Sequence, residues 1–196
     1  MMNRIAQIDR ETTETKVRLI LNLDGAGKAS IKTNVPFLTH MLELFTKHGL
    51  FDLTVDATGD VHIDAHHTVE DIGICLGQAF REAIGDAAGI CRYASGLIPM
   101  DEALCQLAVD VSNRAYLGFN VDFPKASVGN FDVELVEEFL SAFVSNARVS
   151  LHVSMISGQN LHHIIEAIFK ALGVVLDKAT QKDPRKTGIP STKGIL

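Results

Sequence analysis

The chain contains an internal repeat, and this repeat limits its possible folds more than any other feature. The segment LTV at 53–55 recurs as LHV at 151–153, an offset of 98 residues. The segment HHTVE at 66–70 recurs as HHIIE at 162–166, an offset of 96 residues. A unit of roughly 90 residues is too long for a solenoid repeat and has the size of a fused half-domain. The sequence therefore predicts a duplicated fold.

Hydrophobic periodicity predicts the same order of elements in both halves. In the first half, the predicted elements are strands at 15–23 and 28–33, a helix that opens at 34–36 and ends at 48–49, a strand at 51–58 and a helix at 65–86. In the second half, they are strands at 103–111 and 114–121, a helix at 132–147, a strand at 149–156 and a helix at 160–180. The turn signal DGAG at 24–27 predicts that the first two strands form a hairpin. The order predicts an α/β fold in which each half is an α+β two-layer sandwich.

The composition is that of a globular protein from a reducing compartment. The chain has 196 residues, 46% apolar and 21% charged, which suits one domain or two small fused halves and excludes disordered classes. A net charge of −6 argues against a nucleic-acid partner. No apolar run suits a membrane partner and no signal-peptide pattern is present, so we expect a cytoplasmic location. Cys75, Cys91 and Cys105 are odd in number and lack CxxC spacing, which predicts buried free thiols.

The doubled HHxxE pattern predicts two metal sites. Residues four apart share one face of a helix, so His66 can act with Glu70, and His162 with Glu166. The neighbouring histidines, His67 and His163, point about 100° away, which suits two different ions better than one. Imidazole and carboxylate ligands favour Mn, Fe, Ni, Co or Zn over Mg or Ca. Paired histidines can also form a plain polar first turn, but matched positions in a repeat favour ligation.

Two further histidines precede the first doublet. His40 is predicted to face the core side of its helix with Phe37 and Met41, and its counterpart at the 98-residue offset is Glu138. Both residue types can ligate the same class of metal. His48 is either a cap that offsets the helix dipole or an acid/base group near a metal.

Several charged residues and one polar tail segment would each, taken alone, be predicted to be solvated surface groups. These are Glu14, Arg92, Arg114, Lys170 and the tail Ser191-Thr192-Lys193-Gly194. Lys170 lies one turn beyond Glu166, so its ammonium is expected about 10 Å from the ion. That distance would suit a substrate with an anionic group remote from its metal-bound end.

These residues resemble one family, the imidazoleglycerol-phosphate dehydratases of histidine biosynthesis. The segments that carry the resemblance span nearly the whole chain, and the doubled HHxxE is the most specific of them. They are RETTET at 10–15, PFLTHML at 36–42, HHTVEDIGICLGQA at 66–79, RYASGLIPMDEAL at 92–104, LVEEF at 135–139, LHV at 151–153, HHIIEAIFKA at 162–171 and PSTKG at 190–194.

The resemblance implies a fold and an assembly. The fold is a duplicated β3αβα half-domain of the ribosomal protein S5 domain 2-like type. It forms a single dehydratase domain over 1–196, with repeats at about 1–91 and 92–180 and a C-terminal substrate-binding tail at 181–196. Trimers would assemble into a 24-subunit homo-oligomer, with two Mn²⁺ ions in each active site between neighbouring subunits.

The resemblance also implies roles for individual residues. The implied metal ligands are His40, His66, His67, Glu70, His162, His163 and Glu166, with Glu138 where many family members have a ligating histidine. Glu14 and His48 are implied to contact the substrate as acid/base candidates, His40 to contact it, and Glu70 and Glu166 to serve catalysis. The implied phosphate binders are Arg92, Arg114, Lys170, Ser191, Thr192 and Lys193.

The implied reaction removes water from imidazole glycerol phosphate to give imidazole acetol phosphate. Breaking the unactivated C–H bond requires the imidazole ring to accept electrons, and two metal ions on the ring nitrogens would stabilise that charge. Two other functions remain open for the same ligands. One is a dinuclear metal hydrolase acting on a phosphorylated small molecule, and the other is a metal-binding or storage module without catalysis.

Overall fold

The protein is described by a computed structural model over residues 4–196. The elements of the first half are β1 (Ile5–Glu11), β2 (Thr15–Asn22), β3 (Ala29–Lys32), α1 (Pro36–Gly49), β4 (Asp52–Gly59) and α2 (His66–Ile84). The elements of the second half are β5 (Tyr93–Met100), β6 (Ala103–Asp110), β7 (Tyr116–Asn120), β8 (Ser127–Val128), β9 (Phe131–Asp132), α3 (Leu135–Ala147), β10 (Ser150–Ser157) and α4 (Leu161–Thr180). Apart from the short β8–β9 hairpin, both halves follow the order βββαβα, which confirms the predicted duplication.

Each half contributes one four-stranded sheet, and the sheets share one topology. Their orders are β1-β2-β4-β3 and β5-β6-β10-β7. The hairpin predicted for 15–23 and 28–33 is wrong, because β4 lies between these strands, antiparallel to β2 and parallel to β3. The crossover through α1 returns the chain parallel to β3, as a connection of this length permits. The turn at 24–27 is instead hydrogen-bonded to the start of β4. The backbone N–H groups of Ala26 and Lys28 donate to Asp52 Oδ1 at 2.8 and 3.0 Å.

The remaining predicted elements agree with the structure to within about two residues, with three exceptions. Helix α3 begins at Leu135 rather than at 132, because residues 131–132 pair with 127–128 in the β8–β9 hairpin. Strands β1 and β5 were not predicted. Both form a sheet edge, and β5 in particular has no fully buried residue, so their hydrophobic patterns are weak.

The helices lie between the two sheets and pack across the two halves. Helix α2 covers the first sheet and α4 covers the second, whereas α1 packs on α4 and α2 packs on α3. Glycines allow the close approach: a Cβ on Gly77 would lie 2.5 Å from the Phe143 carbonyl oxygen, and one on Gly173 would collide with the Phe45 carbonyl. Because Gly73 meets Phe139 one turn earlier, α2 and α3 run parallel. The first turns of paired helices therefore lie side by side.

A single hydrophobic core runs through both halves. Cys75 and Cys105 are part of it, and burial raises the pKa of each thiol to about 12. The prediction of a third buried thiol is wrong, because Cys91 is only half-buried; all three are free cysteines. Among residues 4–196, no helix combines the length and the hydropathy needed to cross a membrane.

Candidate metal centres

The first centre, here called the His40 cluster, consists of His40, His162 and Glu166. His40 Nε2 lies 3.8 Å and His162 Nε2 lies 3.3 Å from Glu166 Oε2. The Asn160 side chain caps α4 by accepting from the backbone N–H of His162 at 2.9 Å, which fixes where the helix begins. Helix α1 of the first half and helix α4 of the second half thus build this cluster together.

The second centre, here called the Glu138 cluster, consists of His66, Glu70 and Glu138. One ligand atom from each residue lies within 4.8 Å of the other two. Asp64 Oδ1 accepts from the backbone N–H of His66 at 2.8 Å, at the start of α2. Helix α2 supplies two members and α3 supplies the third, so this cluster also draws on both halves. The structure therefore brings together both predicted i,i+4 pairs, each with one member from the other half.

His40 does not face the core, contrary to the sequence expectation. Its side chain is 45% exposed, whereas Met41 is fully buried. Consecutive helical residues point about 100° apart, so with Met41 in the core His40 is directed sideways towards the start of α4. His40 and His66 both line a cleft of about 680 Å³, which places one member of each cluster on the same opening.

The second histidine of each doublet contacts a carboxylate outside the clusters. His67 Nδ1 lies 3.0 Å from Asp60 Oδ2, and His163 Nδ1 lies 2.7 Å from Glu102 Oε2. These contacts raise the pKa of both histidines. An imidazole held at Nδ1 by a carboxylate presents Nε2 outwards, which is the usual arrangement behind a metal-bound histidine.

Asp60 and Glu102 were not among the residues singled out by sequence. Their sequence signal is an acidic residue beside a strand, which does not identify the histidine that it contacts. Asp60 directly follows β4, and Glu102 directly precedes β6 in the β5–β6 turn. The hydrogen bond from His163 and the backbone N–H groups it accepts lower the pKa of Glu102 to about 2.

Lys170 lies much closer to a cluster than the expected 10 Å or so. Its Nζ is 2.6 Å from Glu166 Oε1, while the other oxygen of the same carboxylate faces the two histidines. The two residues are four apart on α4, so their side chains meet on one helix face. Burial opposes ionisation of Glu166, but the hydrogen bond and charge of Lys170, together with His40 and His162, lower its pKa.

The two acid/base candidates occupy different surroundings. His48 lies in the last turn of α1, where partial burial and the positive charge of Lys170 lower its pKa. Glu14 lies in the β1–β2 turn with its side chain 52% exposed, and its Oε2 is 3.8 Å from His67 Nδ1. Glu14 is therefore within reach of a candidate metal ligand.

The candidate phosphate binders fall into two groups that are distant within one chain. Arg92 donates to Asp110 Oδ1 at 2.8 Å and to the Pro190 carbonyl at 2.7 Å, and Arg114 lies 3.9 Å from Asp110. Ser191 and Thr192 line a shallow cleft with Arg92, and the Lys193 backbone N–H donates to Ser191 Oγ at 3.2 Å.

Lys170 is at the opposite end of β5 from this group. Its Nζ contacts Met100 Sδ at 3.2 Å, and Met100 ends the strand that begins directly after Arg92. An eight-residue strand spans about 25 Å. One chain alone therefore does not place the arginine group beside the His40 cluster.

The donor sets of both clusters fit a first-row divalent ion. Ligands at about 2.0 to 2.3 Å from a common ion lie roughly 3 to 4.5 Å from one another, and the ligand atoms of each cluster lie within 4.8 Å of one another. Imidazole with carboxylate is a donor combination that suits manganese, iron or zinc.

Comparisons with known proteins identify the family. The imidazoleglycerol-phosphate dehydratase family profile matches residues 33–176. The chain is 60% identical to the imidazoleglycerol-phosphate dehydratase of Geobacillus thermodenitrificans over 195 residues, covering 100% of both sequences. It is 60% identical to that of Bacillus subtilis over 193 residues, covering 98% of this chain and 100% of the relative.

Solved structures agree with this assignment. The crystal structure of the Staphylococcus aureus dehydratase superimposes with a TM-score of 0.83 at 44% identity, covering 91% of this chain and 99% of that one. The Pyrococcus furiosus dehydratase also gives a TM-score of 0.83, at 38% identity, covering 96% of this chain and 100% of that one. The chain therefore belongs to the imidazoleglycerol-phosphate dehydratase family and is a hydro-lyase.

Proposed function

We propose that the protein catalyses the manganese-dependent dehydration of D-erythro-imidazole glycerol phosphate to imidazole acetol phosphate in L-histidine biosynthesis. The observation that carries the proposal is the pair of histidine–carboxylate clusters, in a chain whose Arg92 lies beside a separate C-terminal tail. A substrate with a metal-binding ring at one end and a phosphate at the other matches this division. We further propose a cytoplasmic location and no nucleic-acid or membrane partner.

The clusters would hold two Mn²⁺ ions per active site. Each cluster offers three donors, and the outward Nε2 atoms of His67 and His163 would complete the coordination of ions shared with a neighbouring chain. Bound Mn²⁺ supplies Lewis acidity towards the imidazole ring of the substrate. Glu70, Glu138 and Glu166 contribute the negative charge that retains divalent cations.

Proton transfer falls to groups beside the clusters. Glu14 has a half-exposed carboxylate near His67, so it can take the carbon-bound proton and return one to the departing hydroxyl group. The lowered pKa of His48 favours its neutral form, so it can act as a proton acceptor in the vicinity of Lys170 and Glu166. His40 would contact the substrate through its exposed edge.

The phosphate would be held by cations and the C-terminal tail. Arg92, Arg114, Ser191, Thr192 and Lys193 form the tail group at one end of β5, and Lys170 is the cation at the other end. Charge-assisted hydrogen bonds to a phosphate orient the reacting carbon atoms, so binding energy far from the reaction contributes to its rate.

A homo-oligomer would bring these groups together, and we propose a 24-subunit particle built from trimers. The separation along β5 requires that a neighbouring chain supply the tail group to the His40 cluster. The outer face of the second sheet also suits burial against another copy. It exposes Tyr93, Leu97, Tyr116 and Ile156, whereas the outer face of the first sheet is largely charged or polar.

The test is turnover of imidazole glycerol phosphate by the purified protein, with Mn²⁺ added and with a chelator. We expect imidazole acetol phosphate to form only with Mn²⁺ and without release of inorganic phosphate. Phosphate release would indicate the hydrolase instead, and metal-loaded, assembled protein without turnover would leave the storage module.

Gel filtration tests the assembly independently of activity. If the ions are shared between chains, chelation should convert the large particle into smaller oligomers, and Mn²⁺ should restore it. An unchanged particle size after verified metal removal would contradict shared sites.

A further inference from the structure

Asp71 is a buried carboxylate that has no part in either cluster. It follows Glu70 on α2, and the residue is only 6% exposed. Its Oδ1 accepts from Arg10 Nε at 2.8 Å, and its Oδ2 accepts a short hydrogen bond from Thr15 Oγ1. Burial of a carboxylate is costly unless it is paired and hydrogen-bonded, so these contacts hold Asp71 firmly in one geometry.

The two partners of Asp71 lie on either side of the turn that carries Glu14. Arg10 is near the end of β1, and Thr15 is the first residue of β2. Asp71 thus ties both strands of this turn to the helix that carries His66, His67 and Glu70.

The backbone of the turn is fixed from within as well. Thr12 Oγ1 accepts from the backbone N–H groups of Glu14 and Thr15 at 3.1 and 3.0 Å, and the Glu14 carbonyl accepts from the Asp60 backbone N–H at 3.1 Å. Among residues 4–196, no group donates a hydrogen bond to the Glu14 carboxylate, and the ionisable group that it contacts is His67, at 3.8 Å. The backbone is held and the carboxylate is free.

We propose that Asp71 is a positioning residue for Glu14. By anchoring both ends of the turn to α2, it sets the distance between the Glu14 carboxylate and the metal ligands of that helix. This inference rests on the proposed function, in which Glu14 carries a proton.

The second half supports this assignment by lacking the same contacts. At the 96-residue offset the counterpart of Asp71 is Ala167, and the first residue of β6, equivalent to Thr15, is Ala103. The residue equivalent to Glu14 by its place before β6 is Glu102. Glu102 is instead held by its own carboxylate, which accepts from the backbone N–H of Asn160 at 2.8 Å as well as contacting His163.

The halves therefore use two ways of holding a turn carboxylate. Direct bonding fixes the Glu102 carboxylate beside His163, which suits a group that orients a histidine. At Glu14 only the backbone is held, so the position of its carboxylate depends on how the turn is anchored to α2. Asp71 is that anchor.

The test compares the kinetics of Asp71→Asn, of Thr15→Val, which replaces the hydroxyl group by a methyl group of similar size, and of Thr15→Ser, which keeps the hydroxyl group. Outer-sphere orienting residues of metal sites typically contribute about 10- to 100-fold to activity. We expect kcat to fall by a factor in this range in Asp71→Asn and Thr15→Val, with KM and Mn²⁺ content nearly unchanged. In Thr15→Ser, which keeps the hydroxyl group, we expect kcat close to that of the wild type. Asp24→Asn, which removes the exposed ion pair with Arg4 far from the clusters, is the matched control and should retain full activity.

Combination with Glu14→Gln separates positioning from general stability. A residue that acts through Glu14 should have no further effect on kcat once Glu14 is replaced by glutamine. Adding Asp71→Asn to Glu14→Gln should therefore leave kcat unchanged. Equal fold losses in both backgrounds would overturn the proposal, as would full kcat in Thr15→Val. Wild-type protein without dehydratase activity would contradict the proposed function itself, which is a different outcome.

Discussion

The His40 cluster and the Glu138 cluster occupy matched places in the two halves but differ in charge. The first contains two imidazoles and one carboxylate, and Lys170 neutralises that carboxylate. The second contains one imidazole and two carboxylates, and the counterpart of Lys170 at the 96-residue offset is the apolar Ile74. The duplication has thus kept the geometry of the two centres while giving the second more negative charge and more oxygen ligands.

Removing one carboxylate ligand should have the largest effect and should separate the centres. In Glu70→Gln, we expect one bound Mn²⁺ per chain instead of two, because only the Glu138 cluster is damaged. Lewis-acid stabilisation contributes several kcal/mol, so kcat/KM should fall by about 100-fold or more. Metal analysis of the purified protein and steady-state kinetics measure both quantities, and two retained ions would contradict the assignment of Glu70.

Lys170→Met tests the charge difference through stability. The pair with Glu166 is largely buried, so its loss should cost about 2 kcal/mol, below the 3–5 kcal/mol of a fully buried pair. The free energy of unfolding should fall by this amount in chelator and by less with Mn²⁺, because the ion then compensates the Glu166 carboxylate.

Urea denaturation with and without Mn²⁺ measures the two values. Lys47→Met, at an exposed position on α1, is the matched control and should change neither. Equal losses under both conditions would show that Lys170 does not share Glu166 with a metal ion.

Glu138→His would give both clusters two imidazoles and one carboxylate. Of the three substitutions it should have the smallest effect. Imidazole suits zinc and nickel better than a carboxylate does, so the affinity ratio of Zn²⁺ to Mn²⁺ at this centre should rise by about tenfold. Competition titrations on the wild type and the variant give this ratio. An unchanged ratio would mean that Glu138 does not ligate the ion.

Local spacing made two of the three members of each centre predictable. His66 with Glu70, and His162 with Glu166, follow from four-residue spacing on a helix, and the same rule could have placed Lys170 on Glu166. The repeat marked His40 and Glu138 as counterparts. It could not show that each joins the doublet of the opposite half, because that depends on how α1 packs on α4 and α2 on α3.

Non-local contacts explain the other errors. The chain does turn at 24–27, but the flanking strands pair with β4 rather than with each other. The local sequence does not determine this pairing. Asp60 and Glu102 are separated in sequence from the histidines they contact by loops or by whole elements. Their roles became visible only once the chain was folded.

Each metal cluster combines a helix of one half with a helix of the other, and this has a consequence for the origin of the protein. One repeat on its own carries a doublet helix without its third ligand, and a third ligand without its doublet. Two copies of a single repeat, docked about a twofold axis in the same way, would hold two identical and complete centres. A symmetric dimer of half-length chains would therefore be chemically sufficient for the two centres, and joining the halves in one chain lets the two centres differ in their ligands.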